Sequence, residues 1–316
     1  MHLPRREIPI LTGGFAGGLL IAFGLVFIWV LITSGSEEGL ALNAPADPHT
    51  ARNDSTGLIG YTYHSISNRL NAERREVHPS RGDLSFRATR IVWKDARNPD
   101  FASVGELRGV INASSAQAGN ITVRAAVISN AEVYVEQEQA GGEWNYQRVL
   151  DRMKTEDDGG PKSLFVVNDL AVRNTRVRVN TPDQDFVIEN LAAQMPRVEL
   201  SGPDLPEPRV QVARMTGILA MNGERRPIAA TNAALRFPEG GARFEIAEVS
   251  TGQTRVTNLA GEFGGMPGIG VRATGRVDNM RFEDVRFISP RLPASGVASF
   301  TFAVQPLSET RTEIVL

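Results

Sequence analysis

From residue 81 almost to the last residue, apolar and polar side chains alternate one for one, and nothing else in this 316-residue chain restricts its fold as strongly. Successive side chains of a β-strand point to opposite faces, so strict alternation gathers the apolar residues of a strand on one side. Ala131-Glu132-Val133-Tyr134-Val135-Glu136 shows the pattern in full. It returns in Ile121-Thr122-Val123, Val177-Arg178-Val179, Phe186-Val187-Ile188, Val198-Glu199-Leu200, Phe244-Glu245-Ile246 and Phe300-Thr301-Phe302. Gly, Pro, Asn and Asp separate the runs, as turns require. The expectation is an all-β chain of antiparallel hairpins with one face in water. Two runs open alike, Asn130-Ala131-Glu132-Val133 and Asn174-Thr175-Arg176-Val177, 44 residues apart. A hairpin pattern is being reused, without the fixed period of a solenoid.

A few segments depart from the alternation. Residues 36–80 read as a linker, rich in small residues, Pro, Asp and Asn at first, with a short helix between 58 and 76. Residues 146–153 read as a second short helix, with Val149, Leu150 and Met153 apolar and Asn145 as its N-cap. Residues 264–270 are glycine-rich, but they lie between strand-like runs. A flexible hairpin loop suits them better than a phosphate cradle, which needs a following helix.

Residues 8–34 carry no charge. About 20 apolar residues, rising 1.5 Å each, cross a ~30 Å hydrocarbon core. The run is longer than the roughly 7–15-residue apolar core of a cleaved signal peptide. Arg5 and Arg6 precede it and Glu37 and Glu38 follow it, so the N-terminus should stay in the cytoplasm and the rest be exported. Gly13, Gly14, Gly17 and Gly18 give two G-x-x-x-G spacings, which permit close helix packing. Residues 1–35 thus form a cytoplasmic tip and a transmembrane anchor.

The chain offers little chemistry. Cysteine is absent, which removes disulfides, thiolate metal sites and Cys nucleophiles. The 4 histidines have no metal-ligand spacing, and neither a nucleophile elbow nor a phosphate-binding lysine loop is present. A net charge of -2 argues against a nucleic-acid footprint. The reading is therefore non-catalytic, with no metal, no cofactor and no nucleic-acid partner.

What remains is the apolar face. It suits either the closed core of a sandwich or barrel, or a curved sheet whose concave side receives a ligand. A single bulge inverts every side chain after it, so the faces depend on where bulges fall.

The order of blocks between Asp83 and Gly202 resembles the N-terminal region of the AsmA/TamB family of inner-membrane-anchored envelope proteins. The resemblance rests on Asn98-Pro99-Asp100, on the Ala131–Glu136 strand running into Gly142-Glu143-Trp144-Asn145, and on Leu164–Leu170 followed by Asn174–Val177. The run Phe287-Ile288-Ser289-Pro290-Arg291-Leu292-Pro293 is similar to a connector in such chains. Trp144 and Asn145 are structural in this reading, Trp144 packing the short helix on the sheet end. The resemblance implies an N-terminal transmembrane helix followed by a long curved antiparallel sheet over residues 81–316, with an open apolar groove and one or two short helices. It implies phospholipid as ligand, and a single-pass inner-membrane protein with its bulk in the periplasm. The groove candidates are Val133, Val135, Val166, Leu170, Val177, Val179, Phe244, Ile246, Phe263 and Val271. Sheltering an acyl chain avoids ~0.8 kcal/mol per CH₂ exposed, roughly 12 kcal/mol for a C16 chain. The alternative is a scaffold or chaperone for outer-membrane protein assembly that works through exposed sheet edges. A sheet of about 60 Å is short for crossing an envelope, so a partner or a longer continuation is expected.

Overall fold

The computed structural model describes residues 72–80, 83–94, 100–112, 120–136, 145, 164–180, 182, 185–201, 207–238, 241–264, 272–287, 293–308 and 311–315. Their strands are β1 (Ala72–Ser80), β2 (Asp83–Lys94), β3 (Asp100–Asn112), β4 (Ile121–Glu136), β5 (Phe165–Asn180), β6 (Asp185–Ser201) and β7 (Arg209–Met221). They continue as β8 (Glu224–Arg236), β9 (Gly241–Thr251), β10 (Thr254–Gly264), β11 (Arg272–Arg281), β12 (Val297–Ser308) and β13 (Arg311–Val315). One helix, α1 (Phe282–Val285), follows β11. All 13 strands form one sheet in chain order, with β1 and β13 at its edges, and it is not closed into a barrel. The fold of the described residues is all-β.

Three sequence expectations need correction. The sheet begins at Ala72, inside the stretch expected to be linker and helix, because residues 72–80 pair in register with β2. The sheet is mixed rather than wholly antiparallel: β4 and β5 run parallel, from Ile121↔Phe165 to Glu136↔Asn180. Residues 137–164 supply the long crossover that a parallel pair needs. Third, α1 lies where no helix was expected. The membrane segment at 8–34, residues 58–71 and the helix at 146–153 lie outside the described residues; among those described, no helix is long and apolar enough to cross a membrane.

Turns follow local sequence. Asn222 and Gly223 join β7 to β8 with φ of 52° and 80°. A two-residue hairpin turn of type I′ needs both signs positive, which Asn and Gly supply at least cost.

One face of the sheet is buried, and its pattern is not simple alternation. In each strand from β3 to β11 the buried series takes a step of three. The steps are Val104 to Leu107 in β3, Ile128 to Ala131 in β4, Val172 to Thr175 in β5 and Ile188 to Leu191 in β6. They recur as Val212 to Met215, Ala230 to Ala233, Ile246 to Val249, Val256 to Leu259 and Val277 to Met280 in β7 to β11. A second such step occurs in β4, β5 and β6, at Val123–Ala126, Val167–Leu170 and Met195–Val198. Each step inserts one extra residue that keeps the apolar series on the same face; at some the pairing shifts register as in a β-bulge, and at others, as between β8 and β9, the extra residues of two strands face each other.

The bulge residues are mostly asparagines in the left-handed region: Asn130 (φ 54°), Asn174 (46°), Asn190 (51°), Asn232 (51°), Asn258 (51°) and Asn279 (52°). Asparagine tolerates that conformation better than other residues with a Cβ. Neighbouring strands place their bulges side by side. Asn130 lies beside Asn174, whose Nδ2 donates to the Asn130 Oδ1 at 2.6 Å. Asn232 of β8 and Asn258 of β10 both face Ala247 of β9, by the registers on its two sides. A bulge bends its strand, so a row of bulges at matching heights creases the sheet. One contiguous buried cluster runs from Ala102 in β3 to Phe287 beyond α1.

Candidate functional site

The inner face gathers most of the residues that the sequence singled out. Val133 and Val135 of β4 lie beside Val177 and Val179 of β5 in parallel register. Val177 pairs in turn with Ile188 of β6. Phe244 and Ile246 of β9 stand between Leu235 and Ala233 of β8 on one side and Gly261 and Leu259 of β10 on the other. Leu170 of β5 belongs to the same buried cluster, whereas Val166 is buried on the opposite face, beside Thr122 and Glu199, and does not line the interior. The Phe263 side chain and residue Val271 lie outside the described residues. Val177, Val179, Ile188 and Val198 are 0% exposed, so this part of the interior is filled by the protein's own aliphatic side chains. Alternation alone did not single out Leu191, Met215 or Val249, because each lies just past a step of three.

Asn145 does something other than the helix cap expected of it. It is helical and 2% exposed. Its Nδ2 donates to the Tyr134 carbonyl at 2.8 Å, and its Oδ1 accepts from the Glu136 amide at 3.0 Å. Pairing of β3 with β4 ends at Val133, so the amide side chain continues the ladder where β3 has run out. Trp144 lies outside the described residues. Nearby, the Tyr134 hydroxyl donates to Glu136 Oε1 at 2.9 Å, and burial pushes its pKa above the ordinary 10.0.

The outer face is polar. Arg124 bridges to Asp83 at 2.6 Å, Arg197 to Glu199 at 2.7 Å and Arg276 to Asp278 at 2.7 Å. Arg225 pairs with Glu189. Such exposed pairs are screened by water and contribute little to stability. The hydrogen bond from Arg276 holds the Asp278 carboxyl below its usual range. A solvent-open cleft of about 650 Å³ lies over the Asn130–Asn174 bulges, lined also by Ser103, Glu132, Arg176 and Arg225. Among the described residues, no three acidic or histidine side chains converge as a metal would require.

One rim of the interior is built differently from the rest. The ends of β7, β9 and β11 and the starts of β8 and β10 meet there, joined by the Asn222-Gly223 and Gly252-Gln253 turns. Phe282, Val285 and Phe287, on and just after α1, are buried in the same cluster as the inner face. On β12, the neighbour of β11, Phe300 and Phe302 are only partly covered. Alternation did not mark the first of these, because the step from Phe282 to Val285 breaks the period of two.

No protein-family model matches the chain, and no curated protein matches it.

Proposed function

We propose that this chain is a non-catalytic, AsmA/TamB-like protein, anchored in the inner membrane by residues 8–34, that shelters phospholipid acyl chains along the apolar interior of its creased sheet. The observation that carries the reading is the persistence of one apolar face across β3 to β11, through a bulge in every strand. A core that only had to exclude water could be sealed by closing the sheet, yet among the described residues this sheet is open, with β1 and β13 at its edges. The lining is mostly aliphatic, with some Phe and Met, which suits hydrocarbon. Where the lining is fully buried, carriage requires the two halves of the sheet to part, and the acyl chain then replaces contacts that the side chains made with one another.

A photoreactive amino acid placed at Val177 tests this in the full chain, in phospholipid vesicles. Crosslinks to phospholipid are expected from Val177 and from Val172, on the far side of the bulge, and none from their outward neighbours Arg178 and Arg173. Lipid capture from both faces alike, or from neither, overturns the reading.

A second reading has its own observation. Pairing of β12 with β13 begins only at Ala303, so residues 297–302 of β12 have no partner strand on that side among the described residues. Val297 there is 62% exposed. A bare edge of that length accepts an added strand, as a scaffold for β-rich clients would use it. The same photoreactive residue at Ser299 separates the two: crosslinks to polypeptide favour strand addition, and crosslinks to phospholipid favour the first reading.

A further inference from the structure

We propose that the segment from Phe282 to Phe287 is a displaceable plug, which fills the rim of the interior in the empty protein and yields that place to the acyl chain of a phospholipid. The inference rests on the acyl-chain reading above. Three of the six residues, Phe282, Val285 and Phe287, are buried among the inner-face side chains rather than laid on the outside. They occupy apolar space that an acyl chain entering from this rim would need.

The backbone that delivers them is weakly built. A four-residue helix cannot sustain itself. Arg281 at its N-cap makes no capping bond with its side chain. The hold is polar, and it is spread over the rim. Asp284 Oδ2 accepts from the Gln253 amide at 2.7 Å, the Thr254 amide at 3.1 Å and the Thr254 hydroxyl at 3.3 Å. Asn222 Nδ2 donates to the Phe287 carbonyl at 2.9 Å. Behind the segment, the Phe282 amide donates to the Gly296 carbonyl at 3.1 Å. A Cβ at Gly296 would stand 2.7 Å from the Phe282 ring, so the chain returns directly beneath the plug. Bonds to turn amides at a rim exchange readily for bonds to water.

A second observation points to a ligand. Thr251 ends β9 at this rim, on the inner face and 1% exposed, and its Oγ1 has no hydrogen-bond partner. Buried hydroxyls are ordinarily satisfied. With the plug withdrawn, this hydroxyl meets whatever enters, and the ester oxygens of a glycerolipid are acceptors it can donate to.

The chain contains no cysteine, so the plug can be locked by a single engineered disulfide. A Cβ at Gly252 would touch the Asp284 carboxylate, which puts Gly252→Cys and Asp284→Cys within bonding reach. The double variant, as the full chain, is placed in dioleoylphosphatidylcholine vesicles that carry a phosphatidylcholine with an acyl-chain diazirine. Oxidised, it should crosslink to the probe at β9 and β10 about tenfold less than when reduced, since apparent affinity scales with the open fraction. Reduced, it lacks the Asp284 contacts and should crosslink at least as well as the unaltered chain. Equal labelling of the oxidised and reduced forms overturns the plug and leaves the acyl-chain reading standing. No labelling of either form or of the unaltered chain overturns that reading, and the plug with it.

Discussion

A residue with a Cβ held near φ +50° in a strand costs roughly 1–2 kcal/mol relative to its preferred regions, and Asn and Gly escape most of that cost. The bulge positions of β8 and β10 therefore specify asparagine for its backbone rather than for any contact: the Asn232 and Asn258 side chains point outward and are exposed. Asn232→Val should lower stability by about 1–2 kcal/mol, while Asn232→Gly should be close to neutral. Urea unfolding of both variants checks this, read at an unchanged m-value. Equal losses in the two would mean that the side chain, and not the left-handed backbone, is what the position needs. At this scale the sequence was partly legible. Asn130 and Asn174 stood out as paired residues opening alternating runs. Their left-handed backbone and the step of three it makes in the buried series did not, because those depend on which strands lie side by side, and neighbours are not written in the sequence.

An element of this sheet is two alternating runs joined by a counted interruption. Each run was legible, since period two is a local property. How the runs join was not, nor which strands pair. The parallel β4–β5 pair depends on the path of residues 137–164, and α1 interrupts an alternation that by itself reads as strand. The interruption makes a prediction that a plain strand would not. In β6, Asn190 is the extra residue between Ile188 and Leu191. Deleting Asn190 leaves Leu191, Ala193 and Met195 on the inner face and removes only the bend. Deleting Ala192, two residues later, turns Ala193 and Met195 outward and Gln194 inward. The second deletion forfeits about 1.5–3 kcal/mol for Met195 and buries an unpaired amide at about 1–3 kcal/mol. The Ala192 deletion should therefore be the more damaging by several kcal/mol, measured as the difference in urea midpoint. The reverse order would show that the bend itself, rather than the shared apolar face, holds β6 in place.

At the scale of the whole molecule, a single sheet in chain order stabilises each strand through its two neighbours and through the crease that faces it. Stability in such an arrangement is local and graded, as in repeat proteins, rather than uniform. The gradient can be read from burial. Val167, Val177 and Val179 of β5 and Ile188 and Val198 of β6 are 0% exposed, whereas Phe300 and Phe302 of β12 are only partly covered. The outer strands β1 and β13 each have one neighbour in the sheet. Amide hydrogen exchange should accordingly be slowest in β5 and β6 and quicken step by step through β8, β10 and β12. The gradient also bears on function. An apolar chain can enter only where opening is cheap, so the half-covered face of β12 and the rim held by Asp284 are the places where phospholipid should change protection. Adding vesicles should slow exchange in β11 and β12 more than in β5 and β6. Uniform exchange across the sheet would mean that it opens only as a whole, and a sheet of that kind has no separate door through which a lipid could pass.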